Sequence, residues 1–235
     1  MKRRNILILL YLFFISLNSY GQTISELSIK ICDSIKSHNY TETDTIALKQ
    51  AEIYSKLIEA HFLNNTEREI KNFKSDLNSL NYKLIRELNK TCDSFKMKTS
   101  FILPFSNLIE IDSVFSTEQS KRINEVAKNI RVKNQMEIII LSIDEIYPEE
   151  NIFDFSVSKL DEWNIGGVLE KSGLIIVFSQ KLRLLRISTT EIAKQYLSDS
   201  ECEGIVSEIM IPNFKKGKYY EGILDSLYKI KELTK

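Results

Sequence analysis

The chain has 235 residues with 32 basic and 32 acidic side chains, a formal net charge of zero, and 43% hydrophobic residues. Without a basic excess there is no counterion-release drive toward nucleic acid, and no electrostatic attraction to an acidic membrane surface. The length is enough for one or two domains of ordinary size.

The N-terminus reads "MKRRNILILLYLFFISLNSYGQ". Lys2, Arg3 and Arg4 precede an apolar run from Ile6 to Leu17, and Ser19-Tyr20-Gly21 offers small residues where a signal peptidase cuts. The run is short for a transmembrane span, which needs about 20 residues. Residues 1–21 are therefore expected to be a signal peptide, the alternative being an uncleaved anchor. No cysteine follows for lipid attachment. The mature chain is expected to start near Gln22 and to be exported, periplasmic or secreted, with no stable membrane insertion after cleavage.

Residues 22–99 read as a helical bundle module, and 23–97 contain neither glycine nor proline. Leu48, Ala51, Tyr54, Leu57, Ile58 and Phe62 recur at helical spacing, as do Ile70, Phe73, Leu77, Leu80 and Leu84. "SHNYTETD" and "LNNTE" break the run into about three helices. His38 and His61 are the only histidines, and each is expected to be an ordinary helix residue, because a metal site needs several convergent groups. An exported compartment permits disulfides. Cys32 and Cys92 lie near the two ends of this helical region and form the expected bridge, three buried thiols being the alternative.

From residue 100 onward strand-like runs alternate with capped helices. "STEQ" at 116–119 is a capping box, followed by the apolar stripe Ile123, Val126, Ala127 and Ile130. "MEIIILSI" at 136–143 is uniformly apolar and predicts a central strand covered on both faces. A helix over about 151–163 leads into a glycine-rich loop, then "GLIIVFS" as a buried strand. "LRLLRIS" is expected to pair with it through a two-residue turn at Gln180-Lys181. "SDSE" at 198–201 repeats the capping box, with Cys202, Ile205, Val206, Ile209 and Met210 on the buried face and Pro212 kinking or ending the helix. Cys202 on that stripe reads as a buried thiol, not a nucleophile. Tyr220, Ile223, Leu224, Leu227 and Ile230 line a last helix. The expected fold class is α/β, a small mixed sheet with helices on both faces, preceded by the all-α module.

The stretches "VFSTEQ", "DEWNIGG", "SGLIIVF", "KLRLLRIST" and "LSDSECEGIVSEIMIPNFKKGKYYEGI" make residues 106–233 resemble the TPM domain. The resemblance implies a Rossmann-like α/β/α sandwich in exported or membrane-tethered proteins, some of which bind calcium, with acid phosphatase activity attributed to a plant member. It also implies an acidic group converging at one end of the sheet. Glu110 occupies the first acidic position, with Asp112 close by. The glycine loop keeps Gly166, Gly167 and Gly173, but Lys171 takes an aspartate's place. After the third strand, Thr190 and Ile192 fall where the pattern has glycines, and Lys194 where it has glutamate. Asp199 is retained, and reads equally as a first-turn helix acid.

Calcium needs six to eight oxygen ligands, and an ammonium among them repels the ion. The expectation is therefore an emptied site with no metal and no cofactor, Lys171 facing Glu110 or Asp112 as an ion pair. Calcium would be the cofactor if the site survived. The α/β half has no histidine, which leaves no Ser-His-Asp or Cys-His arrangement there. The leading functional expectation is a non-enzymatic binding or scaffolding protein of the cell envelope, acting on an envelope protein partner. The alternative is a divalent-metal phosphatase using Glu110, Asp112, Glu191 and Asp199, with Lys171 on the substrate phosphate. A repair or assembly factor is a third reading, resting on fold analogy alone.

Overall fold

The computed structural model describes residues 19–37, 51–52, 55, 77–95, 106–112, 114–167 and 169–235. The chain divides into two compact units, Met1–Thr99 and Ser100–Lys235.

In the first unit, helices α1 (Ser19–Ser37) and α2 (Leu77–Thr91) pack on one another. Leu27, Ile31 and Ile35 on α1, and Leu84, Ile85 and Leu88 on α2, are buried at helical spacing, the pattern an amphipathic pair requires. Cys32 and Cys92 are joined by a disulfide, Cα to Cα 5.7 Å, across 60 residues of sequence. His38, His61, Ile70 and Phe73 lie outside the described residues, as does most of the expected signal segment. The expected cleavage point after Gly21 falls within α1. No helix among the described residues is long and apolar enough to cross a membrane.

The second unit is a four-stranded mixed sheet in the order β1 (Leu108–Glu110), β2 (Glu137–Ser142), β3 (Gly173–Ser179), β4 (Leu184–Thr189). β1 to β3 run parallel and β4 runs antiparallel to β3. Alternation of side chains splits the sheet into two faces. On one, Ile138, Ile140, Leu174, Ile176 and Phe178 join the buried stripes of α3 (Thr117–Asn134) and the last helix, α7 (Tyr219–Leu233). On the other, α4 (Ile152–Glu162) packs over β3 and β4, and Ser156 meets Ser188 at 2.7 Å. Both faces being covered explains why β2 and β3 carry unbroken apolar runs. Ser116 and Ser198 each cap a helix in a complete capping box, with Gln119 and Glu201 reaching back.

One local expectation needs correction, and of the two outcomes expected at Pro212, a kink or an end, the second is excluded. The β3–β4 turn has four residues, Gln180 to Arg183, not two. Ser179 Oγ accepts the Leu182 N–H at 3.1 Å and Arg183 adopts a left-handed φ of 54°, so β4 starts only at Leu184. Pro212 does not stop its helix. The helical rod runs from α5 (Asp199–Gly204) through a π-helical segment (Ile205–Met210) into α6 (Ile211–Phe214), with Pro212 in the first turn of α6. The wide turn accommodates the missing N–H, and the Asn213 side-chain Nδ2 donates to the Ile209 carbonyl at 3.0 Å. "NFKKGKYYEG" spans the end of α6, the turn at 215–218 and the start of α7, with Gly217 at φ 71°.

Cys202 is buried on α5, and desolvation pushes its thiol up to about 12. The preference for the protonated form supports the fold below pH 9 and is lost as pH rises from there through about 12. An alkylating reagent at pH 8 should therefore modify Cys202 only after unfolding, as mass spectrometry with and without denaturant would show. Replacing Cys32 and Cys92 by serine releases a closed loop worth about 4 kcal/mol in the chain-entropy account. Hydrogen exchange should then accelerate across α1 and α2, and stay unchanged in β2 and β3.

Candidate functional site

The glycine loop follows α4, where Asn164, Gly166, Gly167 and Ser172 take φ values of 45°, 89°, 39° and 52°. A Cβ on Gly166 would sit 2.3 Å from the Ser172 carbonyl carbon, and one on Gly173 would sit 2.9 Å from the Gly166 nitrogen. The glycines are there because backbone packs on backbone, leaving no room for a side chain. The Gly166 N–H donates to Glu137 Oε2 at 2.8 Å, and Arg131 stands 3.6 Å from Glu137 Oε1. Glu137 thus pins the loop to the start of β2. Sequence reasoning missed it, although a lone acid at the head of an apolar strand is a visible signal. The loop holds its own chain.

Lys171 closes a helix end. Its N–H donates to the Gln135 carbonyl at 2.9 Å, its ammonium donates to the Thr234 carbonyl, and Nζ lies 5.1 Å from the Tyr196 ring centroid. Asn134 Nδ2 donates to the Lys231 carbonyl at 2.9 Å and to Thr234 Oγ1 at 3.0 Å. The last carbonyls of a helix have no partner within it and carry the negative end of its dipole. Asn134 and Lys171 supply a donor and a charge to the C-terminal end of α7. Lys194 pairs with Glu191 at 2.9 Å on the exposed segment after β4, and its pKa is raised by that hydrogen bond and by the nearby Asp199. Asp199 opens α5, as a first-turn acid should.

Glu110 and Asp112 lie at the other end of the sheet. Glu110 Oε1 accepts the Phe115 N–H at 2.6 Å, and Asp112 Oδ1 accepts from Ser142 Oγ, which itself takes the Ile111 N–H at 3.1 Å. Glu110 is level with Ser142, and Lys171 with Gln135. Along β2, five extended steps from Ser142 to Glu137, the partner of Gly173, already span about 17 Å at 3.3 Å per residue, and Lys171 lies before Gly173. The expected ion pair between Lys171 and Glu110 or Asp112 is therefore not formed. In parallel strands, the segment after β1 and the segment before β3 emerge at opposite ends. Nor do Glu110, Asp112, Glu191 and Asp199 converge, because β4 returns Glu191 to the end where β3 begins.

Two hollows remain. One, of about 980 Å³, opens beyond the carboxyl ends of β2 and β3, lined by Asp112, Asp144, Lys181, Arg183, Lys215 and Tyr219. Ligands of open α/β sheets commonly bind at that end. Asp112 Oδ2 is buried there, with no hydrogen-bond partner among the described residues. The other, of about 750 Å³, runs along the outer edge of β4 between α4 and α5. No group of three His, Cys, Asp or Glu residues that could hold a metal occurs among the described residues. The residues present do not fit calcium, which asks for six to eight oxygens.

Lys171→Met should cost about 1–2 kcal/mol by leaving the α7 carbonyl without its charged donor. Lys171→Asp, which restores the acid of the family pattern, should destabilise further and gain no calcium affinity. Thermal unfolding with and without calcium reads both.

A family model described as "TPM domain" matches residues 110–233, more than half of the chain. Among solved structures, the chain is similar to the N-terminal domain of a protein from P. gingivalis, at 23% identity over 57% of this chain and 85% of that one, with a TM-score of 0.51. It is also similar to the BA42 protein of the psychrophilic bacterium Bizionia argentinensis, at 17% identity over 53% and 83% of the two chains, with a TM-score of 0.47. The first of these likenesses speaks to fold alone. The search of curated proteins found no significant match. With a glycine loop, capped helices and mixed sheet that agree with the matched region, the chain belongs to the TPM domain family.

Proposed function

We propose that this chain is an exported, non-enzymatic TPM-domain protein that binds or scaffolds a protein partner in the cell envelope. The observation that carries this reading is the separation of its candidate acids. Glu110 and Asp112 stand at one end of the sheet, Glu191 and Asp199 toward the other, so they assemble no common metal or phosphate centre. The lysines in the family's acidic positions have structural work instead: Lys171 on the end of α7, Lys194 on Glu191. Export rests on the Lys2 to Gly21 signal pattern.

The phosphatase reading keeps one observation in its favour. Asp112 Oδ2 is buried with no hydrogen-bond partner among the described residues, beside a hollow that also carries Lys181, Arg183 and Lys215. A carboxylate that loses water without a hydrogen bond is costly, and a cation would relieve it. One carboxylate oxygen falls well short of a calcium shell.

The purified chain should show no calcium-dependent rise in melting temperature and no hydrolysis of an aryl phosphate. Hydrolysis that requires calcium and disappears in Asp112→Ala would refute the binding-domain reading.

A further inference from the structure

β4 is an edge strand, and no further strand pairs with its outer side among the described residues. The Thr190 N–H donates to the Gly173 carbonyl at 3.0 Å, which fixes the phase of the antiparallel ladder. Pairs alternate along such a ladder, so Ser188, Arg186 and Leu184 turn their main-chain groups toward β3. Leu185, Ile187 and Thr189 then present theirs outward, and these have no hydrogen-bond partner among the described residues. Native edges are commonly blunted by proline, a bulge, or a charge laid across them. Leu184–Thr189 contains no proline and no lysine. Its one charge, Arg186, is drawn aside: the guanidinium carbon lies 4.4 Å from the Phe153 ring centroid and Nε donates to Ser188 Oγ at 3.2 Å.

The edge lies in the 750 Å³ groove, walled by α4 on one side and α5 with its π segment on the other. Leu185, Val157 and Val206 give both walls apolar surface. Four carboxylates, Asp161, Glu191, Asp199 and Glu203, stand on the rim against two cations, Arg186 and Lys194. Both cations are engaged, Arg186 with Phe153 and Lys194 with Glu191. Asp161 and Glu203 are exposed and form no ion pair among the described residues.

From these features we infer that the β4 edge is a docking site for an extended, basic segment of a partner protein, which adds as a fifth strand. Main-chain bonds to Leu185, Ile187 and Thr189 supply affinity, and alternate side chains fill the apolar walls or meet the acidic rim. A second copy of this chain is disfavoured as the occupant, because a two-fold pairing would bring two acidic rims together. The inference names the partner class for the binding-domain reading above and rests on it.

The test uses the full chain and a blocked eight-residue peptide alternating valine with lysine. The peptide should bind, with saturable NMR shifts at the amides of Leu185, Ile187 and Thr189. The double variant Asp161→Lys, Glu203→Lys should bind it about tenfold more weakly, a rim-charge effect that grows at low salt. N-methylation of alternate peptide amides should abolish binding, because strand addition needs those donors. No binding by the lysine peptide, undiminished binding after N-methylation, or equal binding of a valine–glutamate peptide would each overturn the proposal. So would concentration-dependent dimerisation that protects the β4 amides. If the peptide fails while calcium and phosphatase assays stay flat, only the docking surface falls. Calcium-dependent hydrolysis would instead remove the reading beneath it.

Discussion

Parallel pairing of β1, β2 and β3 decides which loops of this domain can share a site. Each parallel strand delivers its following loop to one end of the sheet and receives its preceding loop from the other. Glu110 and Asp112 leave β1 at the carboxyl end, while Lys171 enters β3 at the amino end. β4, being antiparallel, brings Glu191, Lys194 and Asp199 back toward the glycine loop. Once the register is set, no side-chain rotation bridges the length of the strands.

The two ends have accordingly been put to different uses. At the amino end, Glu137, Gly166, Lys171, Asn134 and Thr234 tie the glycine loop, α3 and the end of α7 into one polar network. Thr234 is 1% exposed, so its carbonyl and hydroxyl both need partners from the protein. At the carboxyl end, Phe115, Phe178, Phe214 and Tyr219 form an aromatic cluster, with ring centroids 4.7–6.3 Å apart. Gly222 lets α7 approach it, since a Cβ there would lie 2.7 Å from the Phe214 ring. Phe214 and Tyr219 of this cluster also line the larger hollow.

Much of this architecture was legible from residue patterns. Ser116 with Gln119 and Ser198 with Glu201 announced two helix starts, and unbroken apolar runs announced β2 and β3 as doubly covered strands. The β3–β4 turn was misjudged because its left-handed residue is Arg183, with no glycine or asparagine to mark it. The π segment before Pro212 has no sequence signature either. The acids and Lys171 were grouped by their places in a family pattern, whereas strand direction, already implied by the alternation of strands and helices, separates them. Glu137 stands at the head of β2, outside the stretches that carry the family pattern.

The side chain of Lys171 is where the account can be tested most directly. A nuclear Overhauser spectrum of the isotope-labelled chain should show contacts from its ε-methylene protons to the Tyr196 ring, the partner 5.1 Å from its nitrogen. Contacts from those protons to Glu110, Ile111 or Asp112 instead would place the ammonium among the acids and contradict the separation on which the proposed function rests.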